Sequence, residues 1–368
     1  MGAVEWTDVT RQAASDFVRF AETDGAAIPM YARLVRGAAA DPAVLSILEA
    51  APPGQRRPVL LMAALHDLVL AEPSQPLARW YPSVTGGPVP LEDPWPTARQ
   101  LLMDRRADLE AVVSTLTTQT NEPNRSAIWY PAMRAACADL PDTPVALLEL
   151  GPSAGLNLRW DHYLFTYAGD APRGNPASAV DVTCEIRRGT PPLDGAMPAV
   201  VARVGIDRDP VPVGDERRLR WLRACLWPEQ AERLVRFDAA VAELRADPPR
   251  LVRGDAVDEL ADTIESMPAG THLIVFHSWF LTYVARPRRP AIDEHLALVA
   301  GGRPVTRLSF EAAGVTAGFD DVVVPGADPD EFRTILGMTR WRGGTRSDTT
   351  LGAGHAHGAW LDWLDWLD

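Results

Sequence analysis

Hydrophobic positions follow a helical spacing through the first third of the chain. In residues 58–71 the apolar side chains fall on one helical face, namely Leu60, Leu61, Ala64, Leu65 and Leu68. Prolines stand at or near the start of most such segments, where a helix tolerates them. The pattern predicts helices at residues 8–24, 29–39, 42–50, 58–71 and 96–116, and a long ordered loop over residues 72–95.

After residue 144 the pattern changes to short apolar runs of strand length. The first run, PVALLEL at residues 144–150, ends at Gly151 and is typical of a buried parallel strand. Further runs occupy residues 200–206, 250–252, 272–276 and 304–309, and helical patterns at 217–226 and 228–246 lie between them. Strands that alternate with helices predict a mostly parallel, doubly wound sheet with helices on both faces.

The change of pattern also predicts the domain organisation. Residues 1–135 are expected to form an all-helical N-terminal domain that caps a pocket, and residues 136–368 an α/β domain. A segment at about 158–199 reads as an insertion that carries a hairpin of residues 163–167 and 180–187. Segments 320–324, 332–341 and 351–360 are expected to complete the sheet, two of them as an antiparallel pair at one edge.

Composition and charge narrow the function classes. The chain has 368 residues, 36 basic against 49 acidic, and a net charge of −13, so phosphate-rich nucleic acid or an anionic membrane would repel it. All the basic residues are Arg, which excludes a Schiff-base lysine and therefore pyridoxal phosphate. Three widely spaced thiols, Cys137, Cys184 and Cys225, suit a reducing cytoplasm and no thiolate metal site. No leader peptide or membrane span is expected.

The sharpest motif is the sequence ELGPSAGLN at residues 149–157. A buried strand enters a turn of small residues there and is expected to continue into a helix. Glycines let a ligand approach the backbone closely, and a helix start offers free N–H groups. The candidate cofactor-binding residues in this motif are Glu149, Gly151, Ser153, Gly155 and Asn157. Tight packing without a ligand is the alternative interpretation.

Acids follow the next two predicted strands. Asp207 ends the second strand, where an acid commonly binds ribose hydroxyls, and Asp255 follows the third, within reach of an adenine amino group. Asp207 lies farther from the glycine turn than the usual spacing of about 20 residues, which the insertion explains. Asp161 and Asp170 are alternatives nearer in sequence.

The order of these motifs, a glycine turn after the first strand and an acid after each of the next two, resembles that of the class I S-adenosylmethionine-dependent methyltransferases. The chain also resembles an uncharacterised bacterial family with a methyltransferase-like domain, through the stretches QTNEPNRS at 119–126, LELGPSAGLN at 148–157, RVGID at 203–207, CLWPEQ at 225–230 and HGAW at 357–360. The resemblance implies a Rossmann-like sheet of about seven strands with an antiparallel edge strand. It implies S-adenosylmethionine as the cofactor, and no metal.

One expected methyltransferase motif is missing. The Asp/Asn-Pro-Pro-Tyr sequence of amine methyltransferases is absent, and His277, Ser278 and Trp279 stand in its place after the fourth predicted strand. An imidazole can accept a proton from a hydroxyl or an amine, so His277 is the candidate base and Ser278 a second candidate catalytic residue. A structural histidine is the alternative.

A polar cluster precedes the first strand. Arg125 could hold a carboxylate by bidentate pairing, Asn121 and Asn124 could bind a substrate, and Glu122 is a candidate catalytic carboxylate. The same residue types also cap helices, and this alternative stays open. Tyr163 and His357 are candidates to line a substrate pocket; His355 and His357 lack a third metal ligand nearby in sequence.

Trp360, Trp363 and Trp366 alternate with acids at three-residue spacing. They predict a C-terminal helix that docks on the core or binds a protein partner or a second copy. Together these features predict a cytoplasmic, S-adenosylmethionine-dependent methyltransferase-like enzyme that acts on a small polar metabolite. The alternatives are a methyltransferase fold that performs intramolecular displacement or ring closure without S-adenosylmethionine, and a non-catalytic binding or partner subunit.

Overall fold

A computed structural model describes residues 5–195, 197–319 and 332–364. The chain divides into two compact units. The first contains Met1–Thr120 and Asp215–Val235, and the second contains Asn121–Gly214 and Arg236–Asp368. Residues 121–135 are therefore grouped with the sheet, whereas the expected domain boundary at residue 135 stays a prediction. Among the described residues, no helix combines the length and apolarity needed to cross a membrane.

Helices dominate the first unit and flank the strands of the second. Their bounds are α1 Asp8–Glu22, α2 Pro29–Ala39, α3 Pro42–Leu45, α4 Pro58–Ala71, α5 Pro82–Thr85, α6 Trp95–Asp104, α7 Arg106–Thr115, α8 Ser126–Cys137, α9 Glu216–Ala224, α10 Ala231–Ala246, α11 Ala256–Glu265 and α12 Pro290–Val299. Helices α2 and α4 have the predicted bounds, since proline fixes their first residue.

Two predicted helices are divided. Residues 42–50 change from α3 to a 3-10 helix at Ser46, and residues 96–116 break at Arg105 between α6 and α7. The Arg105 guanidinium binds Glu72 and Asp108, so the break is anchored by side chains that periodicity does not report. The predicted loop at 72–95 contains α5 and a 3-10 helix at Pro76–Trp80.

The second unit is built on one mixed sheet. Its strands are β1 Val145–Leu150, β2 Leu164–Tyr167, β3 Arg173–Gly174, β4 Asp181–Arg188, β5 Val200–Asp207, β6 Arg250–Arg253, β7 His272–Ser278, β8 Val305–Ala312, β9 Thr334–Arg342, β10 Thr345–Gly354 and β11 Trp360–Trp363. They lie in the order β3-β2-β4-β11-β10-β9-β8-β7-β1-β5-β6. The fold is therefore α/β, as predicted, but the sheet has eleven strands within the described ranges where about seven were expected.

Strand β1 lies at the centre of the parallel part of the sheet, where a ligand-binding site is expected. Strands β5 and β6 lie on one side of it, β7 and β8 lie on the other, and all five are parallel. Their carboxyl ends meet at one edge, and the strand order reverses at β1. In open α/β sheets such a reversal is where ligands bind.

Four sequence predictions about the rest of the sheet are wrong. Strands β9 and β10 form an antiparallel pair, but the pair lies inside the sheet between β8 and β11 and not at an edge. Segments 163–167 and 180–187 do not form a hairpin, because β2 and β4 pair in parallel and β3 supplies the antiparallel neighbour of β2. The Trp-rich segment is the strand β11 and not a helix; Trp360 and Trp363 are buried in it. No α-helix follows the glycine turn, which continues into a 3-10 helix at Leu156–His162. The segment 320–324 and Trp366 lie outside the described residues.

Candidate functional site

The turn after β1 has the backbone that its small residues predict. Gly151, Ser153 and Gly155 have φ values of 76°, 55° and 87°, the left-handed region that favours glycine and is uncommon for serine. The close approaches are to protein atoms: a Cβ on Gly151 would stand 2.9 Å from Phe280 Cδ2, and one on Gly155 would stand 2.9 Å from Pro249 Cγ. The turn is therefore packed against other side chains on these sides.

Asp207 reaches the turn across the insertion. Its Oδ2 accepts the Ser153 N–H at 2.9 Å, and its Oδ1 accepts the Asp209 N–H at 2.8 Å. The two alternatives are placed differently: Asp161 pairs with Arg203, and Asp170 lies in an exposed turn. Of the three acids, Asp207 is the one whose carboxylate contacts the glycine turn. The same hydrogen bond stabilises the unusual backbone of Ser153.

Asp255 is already engaged by protein groups. It is the N-cap of α11, where its Oδ1 accepts the Val257 N–H at 3.0 Å, and its Oδ2 pairs with Arg208 at 2.5 Å and Arg288 at 3.1 Å. Burial alone would raise the pKa of this carboxyl, but the Arg208 hydrogen bond and the cap outweigh it and lower the pKa. Binding of an adenine amino group would have to compete with these partners.

Glu149 is the most unusual acid at this edge. The side chain is 4% exposed, and its Oε2 has no hydrogen-bond partner within the described part of the chain. Burial raises its pKa to about 8; Arg125 opposes this shift and Asp207 adds to it. A buried carboxyl without a partner is costly to ionise, so it is mostly protonated at neutral pH unless a cation approaches.

Arg125 connects three segments beside Glu149. Its Nη1 donates to Ser278 Oγ at 3.2 Å at the end of β7, and its Nε donates to the Ala356 carbonyl at 2.8 Å. The side chain is buried. Strand alternation places Glu149 and Ser278 on the sheet face that α8 covers, because Glu149 is in register with Phe276 and Trp129 of α8 packs on Phe276.

The other members of the predicted polar cluster have structural contacts. Glu122 Oε1 accepts the Asn124 N–H at 3.0 Å and lies 4.0 Å from Arg236 Nη1. The Asn124 amide bonds both backbone groups of Thr183 at 2.9 Å. Asn121 touches the glycine turn, through a 3.4 Å hydrogen bond from Nδ2 to the Pro152 carbonyl. The capping alternative therefore describes Glu122 and Asn124 well.

His277 lies on the opposite face of the sheet from Ser278, by the alternation of β7. It is fully buried, and its Nδ1 lies 2.8 Å from Glu311 Oε1 on β8. The same oxygen accepts the N–H groups of Phe280 at 2.9 Å and Leu281 at 3.1 Å. Because this carboxylate oxygen is the acceptor, the imidazole proton is on Nδ1. Its Nε2 has no hydrogen-bond partner in the region that the structure describes.

The remaining candidates order the turn and the polar cluster, where the His357 carbonyl accepts the Asn124 side-chain amide at 3.2 Å. Tyr163 donates its hydroxyl to the Leu156 carbonyl at 2.6 Å, and Asn157 Oδ1 accepts the Ser126 hydroxyl at 3.0 Å, so both order the segment after the turn. The backbone N–H of His357 donates to His355 Nδ1 at 3.2 Å.

Sequence reasoning missed Glu311 and Phe280. Glu149 is a charged residue near the end of a buried strand, and Glu311 has the same position in β8. Nothing in the sequence pattern indicated that Phe280 contacts Gly151.

Comparisons with known proteins give one family and no activity. The family model described as "Uncharacterized protein conserved in bacteria (DUF2332)" matches residues 14–363. No curated protein matches the chain.

Proposed function

The chain belongs to the DUF2332 family, and from the geometry of its sheet edge we propose that it is a methyltransferase-like enzyme that binds S-adenosylmethionine and acts on a small polar metabolite. The Rossmann-like assignment rests on the five parallel strands around β1, whose order is that of a doubly wound sheet. The additional strands beyond β8 distinguish this chain from the seven-strand arrangement.

The observation that carries the proposal is the carboxyl oxygen of Glu149 beside the glycine turn, which has no hydrogen-bond partner among the residues that the structure describes. S-adenosylmethionine carries a sulfonium and an ammonium group, and either positive charge would stabilise the ionised form of this buried acid. Arg125 lowers the pKa of Glu149, so its positive charge acts near this carboxyl, and a guanidinium suits the carboxylate of the same ligand. The zwitterionic end of the cofactor thus fits the charges that the site supplies.

The adenosine end fits less completely. Asp207 accepts two backbone N–H bonds and keeps acceptor capacity for ribose hydroxyls, whereas Asp255 has both oxygens engaged. The adenosine would be held by four residues, namely Gly151, Ser153, Gly155 and Asp207. When bound, the cofactor supplies an activated methyl group. The chain's own contribution is to position the acceptor. In this proposal the acceptor's proton goes to Nε2 of His277, which has no hydrogen-bond partner among the described residues. His277 is buried on the sheet face opposite Glu149, so the acceptor has to reach it past the carboxyl ends of the strands.

Calorimetric titration with S-adenosylmethionine tests this function. We expect micromolar binding to the full chain and a loss of at least tenfold in affinity for Glu149→Gln, which keeps the shape but cannot ionise. Asp170→Asn, in an exposed turn, is the matched control and should bind as the unaltered protein does. An absence of binding heat at millimolar ligand would refute the proposal.

A second candidate is favoured by the contact between Phe280 and Gly151 and by the ion pairs of Asp255. In the proposed arrangement an adenosine would have to displace the Phe280 ring and compete with these ion pairs. Both features suit a methyltransferase fold that performs an intramolecular displacement or ring closure without S-adenosylmethionine. Substrate turnover by protein that does not bind S-adenosylmethionine would favour this candidate.

A further inference from the structure

The aromatic ring of Phe280 lies between two features of the site. The place of a Cβ on Gly151 is 2.9 Å from Phe280 Cδ2, 3.5 Å from its Cβ and 3.5 Å from its Cγ. The same ring meets the His277 imidazole edge-on, with 5.8 Å between the centroids. No ligand atom can contact Gly151 on this side while the ring is there. The ring also separates the glycine turn from the candidate base.

The segment that carries Phe280 is held under strain. Trp279, the preceding residue, has φ 54°, an uncommon value for a bulky side chain. Its backbone is restrained from both sides, because the Trp279 N–H donates to the Phe310 carbonyl at 3.1 Å and the Phe280 N–H donates to Glu311 Oε1. The position of the ring thus depends on one carboxylate oxygen that also holds His277 and Leu281.

Polar groups near the ring lack partners. His277 Nε2 and Glu311 Oε2 are both buried and make no hydrogen bond to any described residue. A buried polar group without a partner destabilises the fold relative to a satisfied one. Movement of the half-buried Phe280 ring would let a polar ligand or water reach His277, and the recovered hydrogen bond would offset the apolar contact that is lost.

We propose that Phe280 is the gate of this site: its ring covers Gly151 and His277 in the closed state that the structure shows, and it moves away when a nucleoside-type ligand enters the turn. The inference rests on the proposed function for the identity of the ligand. The open state joins the glycine turn and His277 in one hollow. Glu311 is the positioning residue that holds the gate closed.

Two measurements on the full chain test the gate. In the ligand-free protein, Phe280→Ala should speed hydrogen exchange of the amides at residues 151–155 by about tenfold or more, and this readout needs no ligand. In calorimetry, the same variant should bind S-adenosylmethionine about tenfold more tightly, because it no longer has a closed state to open. Phe280→Leu, a smaller change to the core, should move both readouts in the same direction and serves if the alanine variant folds poorly.

Phe332→Ala is the matched control. Phe332 is 62% exposed and stacks on Trp279, with 5.5 Å between the centroids. It should leave both readouts unchanged. Exchange and affinity that do not respond to Phe280→Ala or Phe280→Leu would overturn the gate, whereas binding by the unaltered protein would then still support the proposed function. Faster exchange with no S-adenosylmethionine binding in any variant would support the gate and reject the cofactor.

Discussion

His66 in the helical unit and Glu149 in the sheet unit are both fully enclosed ionisable side chains, yet their surroundings differ. The Nδ1 of His66 lies 3.0 Å and 3.1 Å from the carbonyl oxygens of Ala224 and Leu226, so it carries the proton, and Nε2 accepts the Ser83 hydroxyl at 2.7 Å. Glu149 keeps an oxygen without a partner. A buried polar group with all its partners is accounted for by the fold, whereas one without a partner needs an explanation, such as strain, a bound water or a functional role.

The largest expected effect is the pH dependence of Glu149. Its pKa is raised from 4.5 to about 8 in the fold, so the folded state binds this proton more tightly than the unfolded chain does. The stabilisation is complete below pH 4.5 and is lost as the pH rises through about 8. Glu149→Gln should therefore gain free energy of unfolding over the unaltered protein as the pH rises, up to about 5 kcal/mol from the linkage relation. Urea denaturation from pH 5 to 9 measures the difference; parallel curves would mean that Glu149 has a partner.

Next in size is removal of the His66 side chain. His66→Ala leaves a cavity and three groups without a partner, and should lower the free energy of unfolding by about 3–5 kcal/mol. Chemical denaturation measures it, with His162→Ala, whose side chain is 40% exposed, as the control. A loss below about 1 kcal/mol would show that the hydrogen bonds and packing of His66 contribute little to the free energy of unfolding.

The protonation of His66 gives a somewhat smaller effect of opposite sign to that of Glu149. Burial lowers its pKa from 6.5 to about 4, the carbonyl bonds only partly opposing the shift, so the unfolded chain binds the proton more tightly. The stabilisation is present above pH 6.5 and is lost as the pH falls to about 4, by about 3 kcal/mol. His66→Gln should lack this slope in denaturation curves between pH 4 and 7. An equal slope in both proteins would assign it to other groups.

The smallest effect concerns the glycine turn. Gly151→Ala should cost about 1–3 kcal/mol, from its positive φ and from the contact with Phe280. In the double variant with Phe280→Ala, the loss of stability caused by the contact with the ring should be recovered. The loss caused by the positive φ should remain. Additive costs in a double-mutant cycle would show that the ring does not press on this position.

The sequence predicted local elements well where one strong signal was present. Proline at the first position located α2 and α4, and the apolar run before Gly151 located β1. Asp207 contacts the turn across 54 residues of sequence separation through its hydrogen bond from Ser153 N–H, whereas its binding of ribose hydroxyls stays a prediction.

Long-range pairing was not predictable in the same way. Nothing in residues 360–363 indicates a strand that pairs with β4, because the Trp spacing fits a helical face equally well. The contact of Phe280 with Gly151 and the role of Glu311 depend on side-chain directions at the ends of β7 and β8. The period of apolar residues indicates which face of an element is buried. It does not indicate which residues the loop after a strand will contact.

The position of β11 has a consequence for biosynthesis. It lies between β4, which is synthesised in the first part of the chain's second unit, and β10, which is synthesised shortly before β11. A ribosome makes β2, β3 and β4 well before residues 360–363, so that β4 presents an unpaired backbone edge through almost half of the chain's synthesis. Such edges invite pairing with other chains. A nascent polypeptide of this design depends on prompt completion, or on a chaperone, to remain monomeric until its last strand arrives.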